Sequence, residues 1–144
     1  MKRLNRLLKV AALLLAAVVT TLSASSCMKE PNPVSEDDFP GTEWSNKENG
    51  WLTTLIFTDV RVLLRCKGLG VNNIPNTAYG LSGSYSFDGA GNVLTISFDT
   101  VDTGYPNITL PSVIEGKFGG TGKLWIWNGP GEPMLFKRQK PSRQ

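Results

Sequence analysis

The chain has 144 residues, no histidine, and 15 Lys plus Arg against 12 Asp plus Glu, a formal +3 with a pI near 9.0. Four of those cations lie in the first nine residues with no acid among them, so the chain from Cys27 onward holds 11 cations against 12 acids, a net −1, and the high pI gives no basic face for nucleic acid. The missing imidazole excludes the usual general base, the usual nucleophilic triad and most zinc and iron sites.

Lys2, Arg3, Arg6 and Lys9 precede an apolar run at 10–19 (VAALLLAAVV), and residues 20–26 turn small and mostly polar. That order is the order of a secretory signal. The run falls short of the roughly 20 apolar residues that a spanning helix needs. An ordinary cleaved signal and an uncleaved helix are the alternatives. The ending Leu22-Ser23-Ala24-Ser25-Ser26-Cys27 resembles a bacterial lipobox, with Ala24 where Leu is usual, as in the relaxed boxes of Bacteroidetes lipoproteins. The resemblance implies that residues 1–26 are removed and that Cys27 is acylated, making the membrane a partner. Met28-Lys29-Glu30 is similar to the export signal that carries such lipoproteins to the outer leaflet of the outer membrane, which implies exposure at the cell surface. Residues 28–40 (MKEPNPVSEDDFP) contain three prolines and four acids and little to bury. They read as an extended, solvated tether, with the Glu36-Asp37-Asp38 run as part of it.

From residue 41 the pattern is β, with no sustained helical periodicity and frequent Gly and Pro. A short first strand is expected at 42–45. Residues 51–57 (WLTTLIF) form the second, Thr58-Asp59 turns, and 60–66 (VRVLLRC) returns. At 80–87, Leu81, Tyr85 and Phe87 alternate with Ser82, Ser84 and Ser86. Asp88-Gly89-Ala90-Gly91 is a hairpin turn whose glycines supply positive φ. Residues 93–98 pair back with Leu94, Ile96 and Phe98 inward. Residues 113–118 place Ile114, Gly116 and Phe118 on one face, 119–122 turn, and 123–127 and 134–138 complete about eight strands. Short strands joined by Gly-rich hairpins predict an all-β fold, a small up-and-down antiparallel barrel, with a sandwich as the alternative. Residues 140–144 read as a disordered basic tail.

Gly41-Thr42-Glu43-Trp44 is similar to the G-x-W start of lipocalin-like domains. With the Gly83-Ser84-Tyr85 hairpin, the Ile114-Glu115-Gly116 strand and the Met134-Leu135-Phe136-Lys137-Arg138-Gln139 end, residues 41–139 resemble the small lipocalin-like lipoproteins of Bacteroidetes. The resemblance implies a fold and carries no ligand. The loop at 68–79 has no counterpart in it.

Little chemistry is visible, and no enzyme, cofactor or metal site is expected. Cys66 lies on a strand face with Val60, Val62 and Leu64 and reads as a core thiol, since no histidine exists to activate it. An unacylated Cys27 would make a disulfide with Cys66 possible. Asp99, Asp102, Glu115 and Glu132 have no spacing that selects a glycosidase pair, and the 99–104 loop lacks the acidic spacing of an EF-hand. Gly119-Gly120-Thr121-Gly122-Lys123 fails as a phosphate loop, with Leu124 in place of Ser or Thr and Lys117 in place of the first glycine. Asp99-Thr100-Val101 resembles the Bacteroidetes O-glycan acceptor at Thr100. Asn107-Ile108-Thr109 is a eukaryotic-type sequon with no expected role.

The aromatics are the candidate binding groups: Trp44, Trp51, Tyr85, Trp125 and Trp127. Trp44 and Trp51 are expected to plug or floor an end of the barrel. The 123–127 alternation sets Leu124 and Ile126 against Trp125 and Trp127. The core or half-buried placement of the two indoles is favoured because large aromatics usually go there; the opposite phase puts both outside. Two functions follow. The first is a barrel holding a small apolar ligand. The second is a surface module binding a protein or glycan through exposed indoles. An eight-stranded barrel with these bulky inward residues reads equally as hollow or filled.

Overall fold

A computed structural model describes residues 30–104 and 110–140. Residues 1–29, with the signal and Cys27, the 105–109 segment with Asn107, and residues 141–144 lie outside the described residues. Pro31–Gln144 is one compact unit.

Eight antiparallel strands follow in order: β1 (Glu43–Glu48), β2 (Trp51–Phe57), β3 (Val62–Gly68), β4 (Ala78–Asp88), β5 (Val93–Phe98), β6 (Val113–Phe118), β7 (Lys123–Trp127) and β8 (Met134–Arg138). Each pairs with its neighbour, and β8 returns to β1 through Trp44 opposite Arg138 and Ser45 opposite Lys137. The sheet is therefore a closed up-and-down barrel, not a sandwich. Closure leaves the sheet with no edge strand.

Inward and outward residues alternate along every strand, as the pleat requires. Leu55, Phe57, Val62, Leu64, Leu94, Ile96, Leu124, Ile126 and Phe136 are buried. Gly116 makes room for two of them: a Cβ there would stand 2.7 Å from Ile126 Cδ1 and 3.1 Å from Leu124 Cδ1.

β1, β3 and β4 differ from their expected bounds, and a local turn sets the start of β3. The expected β3 start, Val60, is 75% exposed. Thr58 closes the 58–61 turn by taking the Arg61 N–H on Oγ1 (3.1 Å) and donating its own N–H to the Arg61 carbonyl (2.8 Å). At 88–92 the positive φ falls on Asn92 (54°), not on the glycines. Gly89 instead permits a close approach, since a Cβ would collide with the Val34 carbonyl.

The largest correction concerns the tether. Residues 31–40 are not free of the barrel. Asn32 donates its side-chain N–H to the Gly120 carbonyl (2.9 Å) and accepts the Gly122 N–H on Oδ1 (2.7 Å). Arg138 Nη1 donates to the Pro31 carbonyl (2.8 Å). Glu36 Oε2 accepts the Phe87 N–H (3.2 Å) from a 3-10 turn, Glu36–Asp38. Asp38 Oδ2 holds that turn by accepting the N–H groups of Val34 and Ser35 at 3.0 Å each; these bonds keep its carboxyl below the ordinary carboxylate range. Phe39 is 0% exposed and closes one end of the barrel. Its ring centroid lies 4.9 Å from Phe57, 5.2 Å from Phe87, 5.5 Å from Tyr85 and 6.0 Å from Phe118. A proline-rich, acidic stretch reads as a solvated linker, and the single phenylalanine in it is what the barrel buries.

Candidate functional site

The candidate aromatics separate to different places. Trp44 is fully buried at the closed end, its indole N–H donating to Thr42 Oγ1 (3.1 Å) and its ring 5.3 Å from Phe118. Tyr85 belongs to the same cluster and donates its hydroxyl to the Thr58 carbonyl (2.9 Å). Both pack in the closed-end aromatic cluster. Leu124 and Ile126 point inward, so Trp125 and Trp127 stand on the outer face of β7. This phase keeps both indoles out of the core, and Trp125 alone takes the half-buried placement favoured from the sequence. Gly116 explains it: the space it leaves inside the barrel is matched by aliphatic branches, not by indoles. Trp125 is half-buried over Gly119, where a Cβ would meet its Nε1 at 2.8 Å; Trp127 is 37% exposed. Of the five, Trp51 lines the cavity at the other end of the barrel.

That cavity, about 220 Å³, opens at the end opposite Phe39. Its floor and walls are apolar: Leu64, Phe98, Ile114, Ile126, Met134 and Phe136. Trp51 and Tyr79 form an edge-to-face pair on one wall, centroids 5.9 Å apart. Thr53 and Cys66 sit beside them, with the Cys66 thiol donating to Thr53 Oγ1 at 3.7 Å. Asn46, Glu48, Asn49 and Asn128 make the rim. The barrel is thus filled at one end and hollow at the other, which resolves the two expectations into halves of one interior.

The local sequence accounts for this placement. Trp51 and Thr53 share the inward phase of β2 with Leu55 and Phe57. Tyr79 is opposite Cys66 in the β3–β4 register. Sequence reading ended the Leu81–Tyr85–Phe87 face at residue 80; carrying the same alternation back two residues would have found Tyr79. The β1–β2 hairpin is braced by the 69–77 loop, whose Leu69 N–H donates to the Gly50 carbonyl (2.9 Å). Gly50 has φ +82°, and a Cβ there would meet the Val71 carbonyl at 2.9 Å, so glycine is required.

Cys66 is a buried free thiol. Burial pushes its pKa above the ordinary value, against smaller opposing effects of its hydrogen bonds to Tyr79 and Thr53. Burial also raises Tyr79, reinforced by its bond to Cys66. Both are neutral at pH 7, so the wall is uncharged and a poor nucleophile. The candidate acids have other roles. Asp99 pairs with Arg61 and accepts the Ser82 hydroxyl (3.1 Å), and Asp102 Oδ1 accepts the Gly104 N–H (2.8 Å). Thr100 is exposed, its Oγ1 accepting the Asp102 N–H (3.1 Å). Comparison of the chain with protein-family models, curated proteins and solved structures finds no match.

Proposed function

We propose that the protein is an envelope lipoprotein whose lipocalin-like barrel binds one small apolar ligand in its open mouth. The observation that carries this reading is the apolar cavity at one end of an otherwise filled barrel. An apolar cavity of about 150 Å³ takes up benzene, so about 220 Å³ suits a single substituted ring or a short chain. Pockets that bind small molecules are apolar with a few placed polar groups, and the Thr53, Cys66 and Asn rim fits that description. The lipobox-like run ending at Cys27 supports attachment to the outer membrane, and the Lys29-Glu30 pair supports the cell surface.

A second reading has its own support. Trp127 and Trp125 lie side by side on the outside of β7, with Val113 48% exposed on the adjoining strand β6. That patch suits a protein or glycan contact. Native mass spectrometry of residues 28–144, purified gently, separates the two. A co-purifying mass that leaves on activation, and is lost when Thr53→Phe fills the cavity, supports the carrier. A bare mass, together with partner or glycan binding abolished by Trp125→Ala with Trp127→Ala, supports the surface module. Mass measurement of the membrane-extracted protein tests Cys27: a diacyl or triacyl increment on that residue is expected.

A further inference from the structure

We infer that the mouth cavity selects ligands with a protonated amine: an apolar ring or short chain carrying one ammonium head. This rests on the carrier reading above and names the ligand class.

The charge pattern of the mouth is the starting point. Of the described residues lining the cavity, Glu48 is the one that carries a carboxylic acid side chain. Among the described residues, no lysine or arginine lines it. The nearby cations are on the other phase of their strands: Lys47, Arg65 and Lys67 are exposed on the outer surface. An anionic ligand head in the mouth would therefore meet a carboxylate and no compensating cation, which disfavours fatty acids.

The same geometry suits an ammonium. Glu48 and Trp51 are direct cross-strand partners at the end of the β1–β2 hairpin, so the carboxylate stands beside the indole. Trp51 and Tyr79 line the wall just inside. Aromatic faces attract cations through the ring quadrupole. Asn46 spends its amide nitrogen on the Leu135 carbonyl (2.9 Å), which leaves its oxygen as the end that can accept from a ligand. Asn49 and Asn128 add further amides at the rim. An ammonium at the rim meets a carboxylate, an indole and amide oxygens, while the body of the ligand occupies the apolar floor.

Three probes of one shape test this: 2-phenylethylamine, 2-phenylethanol and 3-phenylpropionate, titrated into residues 28–144 at low salt and followed by amide NMR shifts at Thr53, Cys66 and Tyr79. Partly exposed ion pairs are worth up to about 1 kcal/mol, so the amine is expected to bind about fivefold tighter than the alcohol and the carboxylate about fivefold weaker. Glu48→Gln should bring the amine and the carboxylate within about twofold of each other, and Glu48→Lys should reverse the order. Alcohol binding with the amine no tighter overturns the inference and leaves the carrier reading standing. A preference that survives Glu48→Gln also overturns it. Absence of shifts for all three overturns the carrier reading and the inference with it.

Discussion

Phe39→Ala is the substitution with the largest expected effect. The ring is 0% exposed and touches four other aromatic side chains at the closed end of the barrel. Truncating a buried phenylalanine costs about 3–5 kcal/mol through lost transfer energy and the cavity left behind. Here the cavity cannot collapse easily, because Phe57, Phe87 and Phe118 are each fixed on a different strand. We therefore expect about 4 kcal/mol. With an m-value of about 1.5 kcal/mol/M for a domain of this size, the urea midpoint should fall by about 2.5 M. Val34→Ala, in the same segment but 77% exposed, should move it by less than about 0.3 M. Equilibrium urea unfolding followed by tryptophan fluorescence reads both. A Phe39→Ala loss below about 1 kcal/mol, or equal losses for the two variants, would refute the assignment of Phe39 as a core residue.

Three further outcomes follow from the packing. Gly83→Ala puts a Cβ into the Ser97 carbonyl, with the Ser97 carbonyl carbon at 2.9 Å and Phe98 Cα at 3.0 Å; backbone cannot rotate aside, so a loss of about 2 kcal/mol or more is expected in thermal unfolding, and a neutral result would contradict the β4–β5 register. Trp127→Ala should change stability by less than about 0.5 kcal/mol and Trp125→Ala by about 1 kcal/mol, with the double variant still folded by circular dichroism; unfolding of the double variant would mean that the indoles are core. Cys66 and Tyr79 both titrate higher in the barrel than in the unfolded chain because burial disfavours their charged forms. Their contribution is complete below the unfolded thiol value of about 8.5 and is lost as pH rises above it, so urea midpoints should fall between pH 7 and pH 10, and less so in Cys66→Ser; a flat profile would contradict their burial.

Much of the barrel was legible because period-2 alternation is a strong signal where one face is buried. β2, β5, β6, β7 and β8 match their expected bounds. What alternation does not carry is phase when both faces hold large apolar residues. The alternation of Lys123 to Trp127 allows the indoles in or out, large aromatics favour burial, and the deciding fact, the Ile126 contact with Gly116 on the neighbouring strand, is tertiary. The Phe39 plug was illegible for a similar reason. One aromatic in a stretch of Pro, Glu and Asp has no period, and its burial depends on a ring of aromatics drawn from β2, β4 and β6. Of the site, sequence reading identified Trp51 and took Cys66 as core. It missed Tyr79, because the strand was ended one residue too soon, and Glu48, because the first strand was ended at residue 45.

The central claim is that the barrel interior is hollow at the mouth and filled at the Phe39 end. Crystals of residues 28–144 grown with bromobenzene test it through the anomalous signal of the bromine. The account predicts one peak in van der Waals contact with Trp51, Tyr79 or Phe98. A peak among Phe39, Phe57 and Phe118, a peak only on the outer face of β7, or no peak at a saturating concentration would contradict it.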